Sequence, residues 1–273
     1  MTAKRPAIRT SDLALAVALA ALCPPAWLVP ERHWPALAEK IVAAGWPKRR
    51  RLKRLSHIRS AFGELEEGAL QRIERESSAS WILRQLQLLR AYGPGGWHPQ
   101  IALEGRERIE QALEQGAGVI LWSGAFRFSD LVTKIGLHRA GYRLTHLSMP
   151  DHGWSSTRLG VRWLNPIWVR IETRYLHERV VIDPSDPKDA TERIRRALVD
   201  NGIVSITAIR GAARRPHSIR ILNARYRVGM GAPMLAHDTG AVLLPVFTLR
   251  QPDGSFRIEV EEPIAIRPEL PRL

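Results

Sequence analysis

Beyond Gly93-Pro94-Gly95-Gly96 the chain alternates between short apolar runs and segments with helical periodicity, and few architectures accept that pattern. A helix carrying Ile109, Ala112 and Leu113 runs out near Gly116 and Gly118, and Val119-Ile120-Leu121-Trp122 then reads as a buried strand. A helix over 130–140, a strand from Tyr142 to Leu147, a helix from Thr191 to Val199, a strand from Ile203 to Ile206, a helix from Met230 to His237 and a strand from Val242 to Phe247 complete the series. Such alternation predicts an α/β fold, a mixed or parallel sheet with helices on both faces. We place the boundary at the glycine-rich break: 1–92 form an N-terminal anchor and helical collar, and 93–273 the α/β domain.

The N-terminal part is read from charge and hydropathy together. From Leu13 to Pro30 there are 18 residues without a charge, with Lys4, Arg5 and Arg9 before them and Glu31 and Arg32 after. Pro24 and Pro25 each remove an amide donor, so the expected helix ends at Cys23, about 16 Å at roughly 1.5 Å per residue, half of a ~30 Å hydrocarbon core. Lys48-Arg49-Arg50-Arg51-Leu52-Lys53-Arg54 follows, so both flanks are basic. Trp27, Trp34 and Trp46 suit the headgroup level of a segment lying in the interface. A secretory signal and a plain buried helix are the other readings of the same stretch. Helical spacing of Ile58, Phe62, Leu65, Leu70 and Ile73, then Trp81, Leu83, Leu86, Leu89 and Tyr92, marks the collar over 55–92.

Lys plus Arg number 41 against 27 Asp plus Glu, a net charge of +14 that favours polyanionic partners. The cations adjoin an apolar segment and no nucleic-acid recognition motif occurs, so an anionic membrane surface is expected and nucleic acid is not. One cysteine, Cys23, excludes an intramolecular disulfide and a cysteine zinc cage, and no metal site is expected.

In open α/β sheets, chemistry gathers beyond the carboxyl ends of the strands, here first at Ser123-Gly124-Ala125-Phe126-Arg127-Phe128-Ser129-Asp130. Around it the chain resembles the late lipid A biosynthesis acyltransferases, the lauroyl and myristoyl transferases related to lysophospholipid acyltransferases. The resemblance lies in Trp97-His98-Pro99 with Gly105, Gly118 to Trp122, Arg158 with Gly160, Gly202, Gly231-Ala232-Pro233, Thr239-Gly240-Ala241 with Pro245, and Arg250, Asp253 and Gly254. It implies a glycerolipid-acyltransferase-like fold and transfer of an acyl chain from acyl carrier protein or coenzyme A, as co-substrate and not bound cofactor, to a lipid hydroxyl. It further implies a place on the cytoplasmic face of a bacterial inner membrane and an apolar slot beside the loop after the first core strand.

The family's base is a histidine followed, after four intervening residues, by an acidic residue. That register puts Ala125 at the histidine and Asp130 at the carboxylate, and alanine accepts no proton. His146, with Asp151 at the same spacing, is a substitute candidate, although Pro150 opposes the helical turn that would join them and the alternative is a surface or loop histidine. His152 stands beside that pair. Arg127, Arg158, Arg210 and Arg225 are candidate substrate-binding cations; no acidic residue occurs from Asn201 to His237, which leaves the arginines of that stretch without local partners. The expected function is lipid A, glycolipid or phospholipid acyl transfer, impaired or altered at its base. The alternative is a non-catalytic relative that binds lipid or acyl carrier in envelope or capsule polysaccharide assembly.

Overall fold

A computed structural model describes residues 5–45, 48–183, 185–208 and 216–266. The chain divides into two compact units: Met1–Leu13 with His98–Arg215 and Gly229–Leu273, and Ala14–Trp97 with Pro216–Val228. The first is an α/β unit. The second is mostly helical.

The α/β unit holds a seven-stranded sheet. Its strands are β1 (Ile101–Glu104), β2 (Val119–Gly124), β3 (Leu144–Ser148), β4 (Glu178–Val181), β5 (Ile203–Ala208), β8 (Val242–Arg250) and β9 (Phe256–Val260), in the spatial order β1-β9-β8-β2-β5-β3-β4. All neighbours are parallel except β8 and β9, which form an antiparallel pair, so the sheet is mixed. Side chains alternate across it as strand geometry requires. Ile120, Val204 and Leu243 face α8 (Pro187–Val199) and α9 (Gly231–Thr239) in one core. Val119, Leu121, Ile203 and Leu244 face α5 (Arg106–Glu114) and α6 (Ser129–Arg139) in the other. Gly118, at φ 74°, is needed because a Cβ there would run into the Leu198 carbonyl; the close approach lets the Val119 N–H reach Gly202 O at 3.0 Å and starts β2 beside β5.

In the second unit, α2 (Trp34–Ala43) and α3 (Lys48–Phe62) both pack on α4 (Glu67–Tyr92). The basic run is partly committed there. Glu74 is buried on α4 and accepts from Arg54 Nη2 at 2.9 Å and Ser78 Oγ at 2.7 Å, while Arg51 Nε lies 3.3 Å away. A short hairpin, β6 (Pro216–Ile221) with β7 (Ala224–Gly229), meets α3 through Asn223 N, which donates to Ala61 O at 2.8 Å.

The first helix corrects the sequence reading. It does not stop at Cys23 but runs as α1 (Thr10–Leu28) through Pro24 and Pro25, about 28 Å at roughly 1.5 Å per residue. The prolines still withdraw two helical hydrogen bonds. Tertiary bonds hold the turn that follows: Trp27 Nε1 donates to Leu89 O at 2.9 Å, Arg90 Nη2 to Val29 O at 2.9 Å and Arg90 Nε to Ala26 O. Among the described residues α1 is the one helix long and apolar enough to cross a membrane by length and composition, and a third of it is buried. Leu15, Ala18, Leu19, Leu22 and Ala26 form the buried stripe, whereas Val17 (70%), Trp27 (45%) and Leu28 (79%) are exposed.

Candidate functional site

The loop between β2 and α6 is a tight reversal. Phe126 N donates to Gly124 O at 2.8 Å, and Ser129 Oγ donates to the Gly124 and Phe126 carbonyls at 3.0 and 3.1 Å. The Ala125 methyl is exposed. Asp130 sits in the first turn of α6, where a carboxylate suits the helix dipole, and its Oδ1 accepts from Leu131 N at 2.9 Å. The Phe126 ring lies 5.8 Å from Phe247, and the Phe128 ring 5.5 Å from Phe256.

Arg127 is half-buried within this loop. Arg158 is exposed, on a segment whose Arg158 and Leu159 amides donate to Pro6 and Ala7 carbonyls at 3.0 Å. Arg225 is exposed on β7, in the other unit, and Arg210 lies outside the described residues. An open cleft of about 680 Å³ exists at the opposite ends of the strands, lined by Arg143, Thr145, His177, Arg196 and Gly202 among others, so it is not the apolar slot expected beside Ala125.

His146 is the second correction. It is neither a loop nor a surface residue: it lies within β3, buried, and its Nδ1 is 2.7 Å from Ser205 Oγ on β5. The register explains the pairing, because Ser205 stands opposite both Leu121 and His146, and His146 opposite Arg179. The row beneath, Val119, Ile203 and Leu144, is wholly apolar. Polarity begins at the Ser205 row and continues toward the carboxyl ends with Ser123, Thr207 and Ser148, whose Oγ accepts from Arg179 Nη2 at 2.9 Å.

Behind this row lies a buried ionic cluster that the sequence reading missed. Glu172, on α7 (Asn165–Thr173), is fully buried and takes three donors: Lys134 Nζ at 3.0 Å from α6, His152 Nε2 at 2.8 Å and Trp168 Nε1 at 2.8 Å. Burial alone would raise the Glu172 pKa, but the Lys134 ammonium and the His152 hydrogen bond hold it well below the ordinary carboxylate range. The rings of His152 and His146 stand 6.4 Å apart. His146 is pushed well below its ordinary 6.5, first by burial and then by Lys134, with Glu172 opposing, so its imidazole is neutral near pH 7. Carboxylate partnership thus falls to Glu172, beside His152, and not to Asp151, whose backbone carbonyl accepts from Asn165 Nδ2 at 3.1 Å.

Two signals in the sequence mark this cluster: a lysine inside the apolar face of α6, and hydroxyl or imidazole residues at alternate positions of otherwise apolar strands. A measurable consequence concerns pH. A group whose folded pKa is depressed contributes stability above its unfolded pKa and loses it as pH falls toward the folded value. Acidification below about pH 6.5 therefore draws on His146, whose protonation is opposed by burial and by the charges of Lys134, His152 and Arg179 and favoured by Glu172. The fall in Tm between pH 6.5 and 5 is expected to be shallower in His146→Gln than in the wild type; parallel curves would refute the assignment.

Buried charges with perturbed titration at the carboxyl side of a parallel sheet mark this cluster, more than the exposed 124–130 loop, as the candidate site. No protein-family model matches the chain, and no curated protein matches it either.

Proposed function

We propose that the chain is a membrane-surface acyltransferase-like protein of lipid A, glycolipid or phospholipid assembly. It takes an acyl chain from an acyl thioester, on acyl carrier protein or coenzyme A, to a lipid hydroxyl at the cytoplasmic face of a bacterial inner membrane. The observation that supports this best is α1, which carries apolar side chains on two faces and buries only one, so that Val17, Trp27 and Leu28 are available to a lipid phase. The mostly parallel α/β sheet supplies the platform, and the glycerolipid-acyltransferase resemblance supplies the reaction class. Purified full-length protein, incubated with long-chain acyl thioesters and lipid acceptors in vesicles, is expected to transfer the acyl group.

A second reading, a non-catalytic protein that binds lipid or acyl carrier in envelope or capsule polysaccharide assembly, draws on one observation: an exposed methyl, Ala125, stands where the resemblance puts the base. Ala125→His separates the two. An inert wild type with an active Ala125→His variant supports the non-catalytic reading, because a restored base is worth about 10²- to 10⁴-fold. Turnover by the wild type supports the first, and a folded wild type inert with every donor and acceptor overturns it.

A further inference from the structure

Ser205 occupies β5, a strand flanked on both sides within the sheet, yet it is only half-buried. Its hydroxyl is 2.7 Å from an imidazole nitrogen, within the reach a nucleophile and its base require. An interior strand position one row above Val119, Ile203 and Leu144 is ordinarily filled by an aliphatic side chain. Here a serine, a histidine and an arginine share the row, with Lys134 and Glu172 buried behind them. Retaining that many buried polar groups carries a desolvation cost that packing alone would avoid.

We propose that Ser205 is a nucleophile and His146 its general base, and that the pair forms a covalent acyl-enzyme. The inference rests on the reading above only for the identity of the acyl donor. Ser205 Oγ attacks the thioester carbonyl while His146 takes the hydroxyl proton; the C–S bond breaks, the thiol leaves with that proton, and a serine ester remains. An acceptor hydroxyl then attacks the ester, its proton passes through His146 to Ser205 Oγ, and the new ester departs. No oxidant or reductant is needed. The base that the 124–130 loop lacks is thereby supplied from β3.

The test uses the full-length protein with a fluorophosphonate, which reports an activated serine without any assumption about lipid, and separately with a long-chain acyl thioester, both followed by intact-mass and peptide mapping. Expected is one adduct on Ser205, absent from Ser205→Ala and slowed about 10²- to 10⁴-fold in His146→Gln. Circular dichroism verifies the fold of each variant. Ser205→Cys gives a second check, since its acyl adduct becomes a thioester cleaved by neutral hydroxylamine while the wild-type ester resists it. Lipid acylation that proceeds without a Ser205 adduct and survives Ser205→Ala overturns the proposal and leaves the acyltransferase reading standing. An adduct on Ser205 released only to water upholds the proposal and removes the acyltransferase reading. Neither adduct nor transfer overturns the proposal as well.

Discussion

Lys134→Met is expected to destabilise the protein by about 3–5 kcal/mol, the usual consequence of taking one partner from a buried ion pair. Glu172 is fully buried, and Lys134 supplies its nearest permanent cation at 3.0 Å. Methionine matches the lysine stem in length, so the change removes charge with little loss of packing. The carboxylate keeps the Trp168 indole and His152, neither a permanent positive charge. Its pKa, no longer held down, rises in the folded state, and a raised folded pKa gives stability that is present in acid and lost as pH increases. The deficit should therefore be larger at pH 8 than at pH 5, and Lys134→Met combined with Glu172→Leu should recover part of it. Urea denaturation at the two pH values measures this. A deficit under 1 kcal/mol at pH 8 would mean that water reaches Glu172.

Val17→Glu with Leu28→Glu is expected to release the protein from vesicles. Each side chain transferred fully out of water contributes about 1.5–3 kcal/mol, so losing two costs roughly 3–6 kcal/mol, on the order of 10²- to 10⁴-fold in partitioning. Both residues are exposed, at 70% and 79%, so the substitutions leave the buried stripe of Leu15, Leu19 and Leu22 untouched and the Tm should be unchanged. Flotation with phosphatidylglycerol-containing vesicles is the measurement. Full retention of the double variant would place lipid contact elsewhere or nowhere.

The parallel core was legible because its strands announce themselves locally: Val119 to Trp122 and Val242 to Phe247 are continuous apolar runs, and Ile203 to Ile206 is broken only by Ser205, as strands covered on both faces lead one to expect. Strands β1, β4 and β9 and the hairpin of β6 and β7 were not recognised, since short segments such as Glu178–Val181 and Phe256–Val260 mix charge with apolar residues. The double proline misled because local propensity says nothing of Leu89, whose carbonyl anchors Trp27 from 62 residues away. Ala125 was readable as part of a loop after a strand, and Asp130 as the start of the helix that follows. The pairing of His146 with Ser205 was not, as the partners are 59 residues apart and meet only through sheet register. Glu172 comes from a helix whose place the hydropathy pattern did not reveal.

Glu74 has one more implication. With Arg54 locked onto it and Arg51 held close by, part of the basic run is neutralised inside the helical unit, and the formal excess of cations overstates what an approaching bilayer would feel. Ionic strength should therefore loosen vesicle attachment less than the tally of arginines suggests, leaving adhesion to depend chiefly on grease.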